Sequence, residues 1–306
     1  DLVEEFRGLF SLSIIKKLYD KYPSVEKIKE VIRTEPYECL CRLSGIGFKT
    51  ADGMLLTLEK ESKQCKEKGK NPILFFGFDL KPSYQRAKAC VDYILNENET
   101  NGNTYVKVGE LKKQFEILVP EAIANLPLIL KGDNDIVFDR ETLSVCRKET
   151  YETEKYIAEK IKEGLSINTQ WDCDCTKFRS LDGFDLTEDQ CKTSEYMCKH
   201  NIVMLVGYGG AGKSSSTQAF VNLLKHYFKS FLLLAPTGRA AKVLSGFTGE
   251  NAMTIHRGLG YMPPNEWCYN EENPIPHDVV IVDEFSMVDI FLFRHLLEAI
   301  DFNRTK

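Results

Sequence analysis

Gly207, Gly212, Lys213 and Ser214 follow the spacing Gly-x4-Gly-Lys-Ser inside the stretch LVGYGGAGKSSS, residues 205–216. An apolar run precedes them and a helical pattern follows, the strand-loop-helix context in which such a loop holds phosphate. Gly207, Gly209, Gly210 and Gly212, with Ala211 among them, let the backbone bend until successive amides face inward. The start of the next helix adds partial positive charge. Lys213 supplies an ammonium for the terminal phosphates of a nucleoside triphosphate, Ser214 supplies a hydroxyl for magnesium, and Ser215 continues the turn. Further on, VVIVDEFSMVD (279–289) ends an apolar run with two adjacent carboxylates. Asp283 is suited to hold magnesium through water, and Glu284 to orient or deprotonate an attacking water. Alone, each motif has a bland reading, a glycine-rich turn or a pair of solvated acids. Together they point to hydrolysis of a nucleoside triphosphate.

The elements that would position these groups are short apolar runs, NIVMLVG, SFLLLAPTG and DVVIVDE, separated by helical patterns. That alternation predicts a parallel sheet with crossover helices. Upstream, SIIKKLYDKY and SVEKIKEVIR carry apolar residues at helical spacing, and LCRLSGIGFKTADGMLL inserts Gly-Ile-Gly between two such segments. The charged, aperiodic stretch 61–72 reads as a solvated loop. Residues 81–150 read as helices followed by a hairpin around KGDNDIVFDRETLSVC, a small winged-helix-like unit. The expected organisation is therefore a helix-hairpin-helix region over 1–60, a winged-helix-like module over 73–150, a helix and polar linker over 151–185, and a P-loop domain over 186–306.

The chain has 306 residues, 43% of them hydrophobic, and a formal net charge of −5. That balance gives no global attraction to nucleic acid, so any such binding must be local. No apolar run approaches the roughly 20 residues that span a bilayer, and the acidic start DLVEEFRGLF is unlike a secretory signal. A cytoplasmic protein is expected, with no membrane partner and its ten cysteines reduced. Cys173, Cys175, Cys191, Cys198 and His200 lie close in sequence, but without the paired Cys-x2-Cys spacing of common zinc sites. Core thiols are the expected reading, with Cys191 and Cys198 on one helix face.

The ordered set LTEDQ, GYGGAGKSS, APTGRAAKVLSGFTGENAMTIHRGLG and VVIVDEFSM resembles the first motor domain of superfamily 1 DNA helicases, in particular the RecD-like group, which moves 5′ to 3′ on single-stranded DNA. RLSGIGFKTAD, GNTYVKVGEL and YETEKYIAEKI have counterparts in the N-terminal part of that group. The resemblance implies an α/β P-loop (RecA-like) domain with a parallel sheet, preceded by mainly α helix-hairpin-helix and winged-helix-like modules. It implies ATP and magnesium as cofactors, and single-stranded DNA and duplex junctions as partners, and a monomer is expected. DNA repair or recombination proteins are candidate partners. Gln190 is implied as the adenine contact, Lys213 and Ser214 as the phosphate and magnesium residues, and Asp283 and Glu284 as the acidic pair. Thr237, Gly238, Arg239, Thr254 and His256 match motifs that line the single-strand track. Arg239 could equally cap or pair on a helix, and His256 could equally be a hydrogen-bonded, partly buried histidine. The sequence departs from the group with Gly-Gly-Ala in the loop, where many relatives carry Pro-Gly-Thr, and with Phe285 where a small residue is usual.

LSGIGFKTA (43–51) resembles a helix-hairpin-helix DNA-binding motif. Gly45, Ile46 and Gly47 would form a tight turn whose amides grip one phosphate without reading sequence, and Lys49 and Thr50 could add contacts. Residues 1–60 hold ten basic and ten acidic side chains, so this grip would be modest. A hairpin that only packs the front end remains the alternative. RGLFSLSII (7–15) stands where a first hairpin would, without Gly-x-Gly. Because the chain stops soon after the acidic pair, it is expected to be a fragment that binds ATP weakly and hydrolyses it barely. A nucleotide-switched DNA-binding scaffold, or the motor part of a relaxase or recombination nuclease complex, are the rival readings.

Overall fold

Leu12–Lys21 (α1) and Val25–Thr34 (α2) each turn one apolar stripe inward, Ile14, Ile15 and Leu18 in the first, Ile28 and Ile32 in the second. Ser11 and Ser24 cap them, accepting from Ile14 N and Lys27 N. The computed structural model describes residues 10–69, 74, 76–181 and 183–306. The chain divides into two units, Asp1–Tyr151 and Glu152–Lys306. The expected first-hairpin segment at 7–15 therefore lies partly outside the described residues, and its described part opens α1.

In the first unit, Pro36–Cys41 (α3), a glycine turn and Phe48–Glu67 (α4) follow, then Tyr84–Thr100 (α5). The loop expected over 61–72 is helical as far as Glu67, and residues 70–72 lie outside the described set. Leu55, Leu58, Glu59 and Ser62 are buried along α4, so its inward face continues past the last apolar residue, while Glu, Lys and Gln support the helix by propensity. Buried Glu59 is held by accepting from Leu80 N at 2.9 Å and pairing with Lys63 at 3.2 Å.

Val106–Lys107 (β1), Val108–Leu118 (α6), a 3-10 turn over Pro120–Asn125, Leu126–Gly132 (α7), Ile136–Asp139 (β2) and Ser144–Arg147 (β3) complete this unit. Its three strands form an antiparallel sheet of order β1-β3-β2. Its apolar residues join those of the hairpin region in one continuous core, from Phe10 through Phe48 and Phe115 to Val145.

A buried ion cluster ties α3, α4 and α5 together. Arg86 grips Asp52 through both carboxylate oxygens, at 2.8 and 2.9 Å, and reaches Lys81 O and Glu121, each at 3.1 Å. Tyr37 donates its hydroxyl to the same Asp52 at 2.6 Å. Nearby, burial raises Asp92 from its ordinary 3.8 to about 6, against the lowering influence of Lys88. Folding therefore takes up a proton on Asp92 between about pH 4 and pH 6, and stability falls as pH rises through that window. Asp92→Asn is expected to stabilise the unit at neutral pH and to flatten that slope, as measured by urea midpoints at pH 4.5 and 7. Equal slopes in the two proteins would reject this.

The second unit receives most of Lys148–Ser166 (α8). It continues through a 3-10 turn at Cys175–Phe178, the small ladder of Ser180–Leu181 (β4) and Phe184–Asp185 (β5), Glu188–Lys199 (α9) and Lys213–His226 (α10). Its sheet consists of Phe231–Ala235 (β6), Ala252–Thr254 (β7) and Val279–Val282 (β10), parallel and ordered β10-β6-β7. Gly238–Thr248 (α11), Ile255–Gly258 (α12), the hairpin of Tyr261–Met262 (β8) and Glu266–Trp267 (β9), and Ile290–Glu298 (α13) fill the connections.

Two of the three expected parallel strands are thus present in register, Val279 beside Phe231 through Val282 beside Leu234. The third is not: residues 202–207 form no strand, and Val203, Met204 and Val206 are exposed. A strand exists only where a neighbour offers free backbone. Among the described residues, 202–207 pair with no strand, and beyond β10 the pairing runs instead to Lys306, with Val280 N donating to Lys306 O and Lys306 N to Asp278 O. Among the described residues, no helix is long and apolar enough to cross a membrane.

Candidate functional site

The first unit presents the glycine turn between α3 and α4. Gly45 sits at φ +79, a left-handed conformation that glycine adopts without strain, and Ile46 N closes the turn onto Leu43 O at 3.0 Å. Gly47 precedes α4, so the amides of Phe48 and Lys49 are the first orphan donors of a long helix. Gly45, Gly47, Lys49 and Thr50 are exposed, as a phosphate grip requires. Ile46 is buried in the core, so its side chain anchors the turn and only its backbone faces a ligand. Lys49 lies over the Tyr93 ring at 5.3 Å. The sequence reading missed Lys17: from α1 its ammonium donates to Ser44 O at 2.5 Å and stands 3.8 Å from where a Cβ on Gly45 would be. No local pattern links residues 17 and 44, so only the packing of α1 on the turn reveals it.

In the second unit the phosphate-loop sequence makes a turn with Gly210 at φ +79 and Gly212 at φ +81, leading directly into α10. A Cβ on Gly207 would stand 3.2 Å from that of Ala211, a tight contact, and one on Gly212 would stand 2.0 Å from Gln190 Nε2 at a left-handed backbone angle, so position 212 needs glycine. Ala211 N donates to Tyr208 O, while the Gly209, Gly210 and Gly212 amides have no partner among the described residues. Lys213 folds back, donating to Gly207 O at 2.6 Å and Tyr208 O at 3.0 Å. Ser214 is exposed with its hydroxyl unengaged among the described residues, and Ser215 is half-buried.

Gln190 belongs to a capping box at the start of α9: its Oε1 accepts from Thr187 N at 2.9 Å, and Thr187 Oγ1 accepts from Gln190 N. The same amide donates from Nε2 to Gly212 O at 3.3 Å. The glutamine and the glycine loop, 22 residues apart, are thereby brought together.

The acidic pair stands at the end of β10. Asp283 N donates to Leu234 O, and Asp283 Oδ1 accepts from Glu284 N at 2.9 Å. Glu284 is exposed, with its backbone at φ +52. Gln190 is thus the candidate residue that the structure joins to the loop by a hydrogen bond, and among the described residues neither acid makes one to it. Phe285 has a defined place, edge-on to Phe293 of α13 at 4.8 Å.

Thr237 and Thr254 spend their hydroxyls as helix caps, accepting from Ala240 N at 3.2 Å and Arg257 N at 3.3 Å. Gly238 and Arg239 form the exposed first turn of α11, and the Arg239 guanidinium has no ion-pair partner among the described residues. His256 is exposed and packs against Tyr261 and Trp267, at 5.5 and 5.6 Å, and Trp267 stacks on His295 at 4.4 Å. Among the described residues, no three His, Cys, Asp or Glu side chains gather as a metal site.

A phosphate-type loop with an amide clamp, in a chain that opens with a hairpin unit, defines a P-loop nucleotide-binding protein with a helix-hairpin-helix front end. Comparison with known proteins supports both halves. Residues 190–306 match the family described as AAA domain, and residues 8–105 match the ATP-dependent RecD2 DNA helicase HHH domain. The two matched stretches together resemble the front end and the first motor domain of RecD-like helicases. It is 40% identical over 115 residues to the ATP-dependent RecD2 DNA helicase of Deinococcus radiodurans, a stretch that is 38% of this chain and 16% of that one. It is 30% identical over 138 residues to the RecBCD enzyme subunit RecD of Mycolicibacterium smegmatis, covering 37% of this chain and 25% of that one. It is 34% identical over 128 residues to the ATP-dependent DNA helicase dda of Enterobacteria phage T4, covering 38% and 29%. The matched stretches thus span less than a third of each relative's length.

Proposed function

We propose that this chain contributes the DNA-gripping front end and the first nucleotide-binding motor domain of an ATP-driven DNA helicase, translocating 5′ to 3′ on single-stranded DNA. The observation that carries the reading is Gln190 reaching Gly212 O, which supports reading its amide as the adenine contact of a triphosphate loop. The donor set fits the cofactors: glycine amides and the Lys213 ammonium for phosphates, the Ser214 hydroxyl and the Asp283 carboxylate for magnesium. Bound ATP would supply the free energy of phosphoryl transfer to water, with Glu284 orienting that water. The exposed Arg239, the amides at the start of α11 and the His256 ring are suited to a strand's phosphates and bases. Single-stranded DNA and duplex junctions are the proposed partners, with repair or recombination proteins beyond them.

The nucleotide half is tested by titrating a fluorescent ATP analogue with magnesium against the protein and its Gln190→Ala variant. A several-fold loss for ATP but not for GTP is expected, and equal affinities would reject the adenine role. The hairpin half is tested with labelled duplexes of unrelated sequence. Gly45→Ala forces a side chain into a left-handed turn and should weaken binding to every sequence alike. Lys17→Gln should weaken it too and lower the slope of log K against log salt by about 0.9, one phosphate contact. An unchanged titration for Gly45→Ala would remove the hairpin from DNA binding, and an unchanged slope for Lys17→Gln would remove that lysine alone.

A further inference from the structure

In the second unit, Cys175 of the 3-10 turn and Cys198 of the last turn of α9 bring their sulfurs to 3.9 Å. Cys198 is buried and Cys175 half-buried. Their surroundings are anchored from several directions. Trp171 N and Lys306 Nζ both donate to Cys198 O, at 3.0 and 2.9 Å, and the Trp171 ring carries the ammoniums of Lys229 and Lys306 at 4.6 and 4.7 Å from its centroid. Phe220, Leu223 and Leu224 of α10 pack against the same cluster. Bridging the pair asks the sulfurs to close from 3.9 Å to about 2.05 Å between segments already held side by side.

We propose that Cys175 and Cys198 form a reversible disulfide when the protein meets hydrogen peroxide. The Cys175 thiolate, the more accessible sulfur, attacks one peroxide oxygen and breaks the O–O bond. Cys175 becomes a sulfenic acid, and the departing hydroxide takes up the thiol's proton as water. Cys198 then attacks the sulfenic sulfur. The S–O bond breaks, the Cys198 proton leaves with the hydroxide as a second water, and the S–S bond forms. Two thiols are oxidised by two electrons, and one peroxide is reduced to two waters.

Burial holds both thiols above the ordinary thiol range, so the first attack by Cys175 is slow and draws on a small thiolate fraction. What selects the pair is the nearness of a resolving sulfur. The bridge would fasten the far end of α9, whose first turn holds Gln190 against Gly212. It would therefore stiffen the support of the adenine-reading amide, a consequence that rests on the nucleotide reading, whereas the bridge itself does not.

The test is a peroxide titration of the native protein, followed by alkylation of remaining thiols and peptide mapping by mass spectrometry. A linked Cys175–Cys198 peptide that disappears after dithiothreitol is expected, with loss of the free Cys198 thiol at least tenfold slower in Cys175→Ser and unchanged in Cys173→Ser. A bridge from Cys173 to Cys198 would overturn the assignment. So would Cys175 passing to the sulfinic acid unbridged, or both thiols remaining alkylatable at peroxide levels that oxidise exposed Cys268. Mapping the unmodified protein keeps the result interpretable if a variant folds poorly.

Discussion

Arg86→Ala is expected to lower the stability of the first unit by about 3–5 kcal/mol, the loss typical of removing one partner from a buried ion pair. The size follows from what is left behind. Asp52 would lose both guanidinium contacts, keeping only the Tyr37 hydroxyl, and its side chain is only 13% exposed. Glu121, nearer the surface, would lose little. Both tryptophans, Trp171 and Trp267, lie in the second unit, so the loss should be read from helical circular dichroism in urea. Asp52 sits in the second turn of α4, just past Gly47, so the same substitution should loosen the hairpin and weaken DNA binding. A loss below about 1 kcal/mol would show that the cluster contributes no more than an exposed pair does.

Lys213→Ala should reduce affinity for magnesium-ATP by about 10- to 100-fold, the span given by about 1.5–3 kcal/mol for a hydrogen bond to a charged group. The parent protein should itself bind modestly. Its ammonium rests on the Gly207 and Tyr208 carbonyls at 2.6 and 3.0 Å and must leave them to meet a phosphate. Part of the binding free energy is therefore spent on opening the loop, and hydrolysis should be slow because Lys213 must first leave those carbonyls. Titration with the fluorescent analogue measures the first effect and phosphate release the second. An Ala variant within twofold of the parent would remove Lys213 from the site.

Local chemistry was the legible part of this chain. Glycine spacing located both turns, because Gly45, Gly210 and Gly212 adopt backbone angles that few other residues tolerate. Two of the apolar runs became parallel strands and the hairpin 131–146 formed as read. Burial was harder to read, since it depends on partners distant in sequence. The run at 202–207 has a strand's composition but no neighbour to pair with, and α4 extends past its apolar residues because the core continues beside Glu59 and Ser62. Ile46 looked like part of a binding loop because a hairpin tip needs an inward anchor as much as an outward face. Lys17 and the Arg86 cluster left no sequence trace, being assembled from separate helices. Gln190 stood out only through likeness to a family, and its contact with Gly212 joins segments that no local pattern links.

Glu284 holds a backbone angle that a glycine would occupy at ease. Folding and chemistry thus pull in opposite directions at this one residue: relaxing the main chain means giving up the carboxylate. Engineering that ranked substitutions there by melting temperature alone would favour the smallest side chain, and would arrive at a sturdier protein stripped of the carboxylate proposed to direct the water.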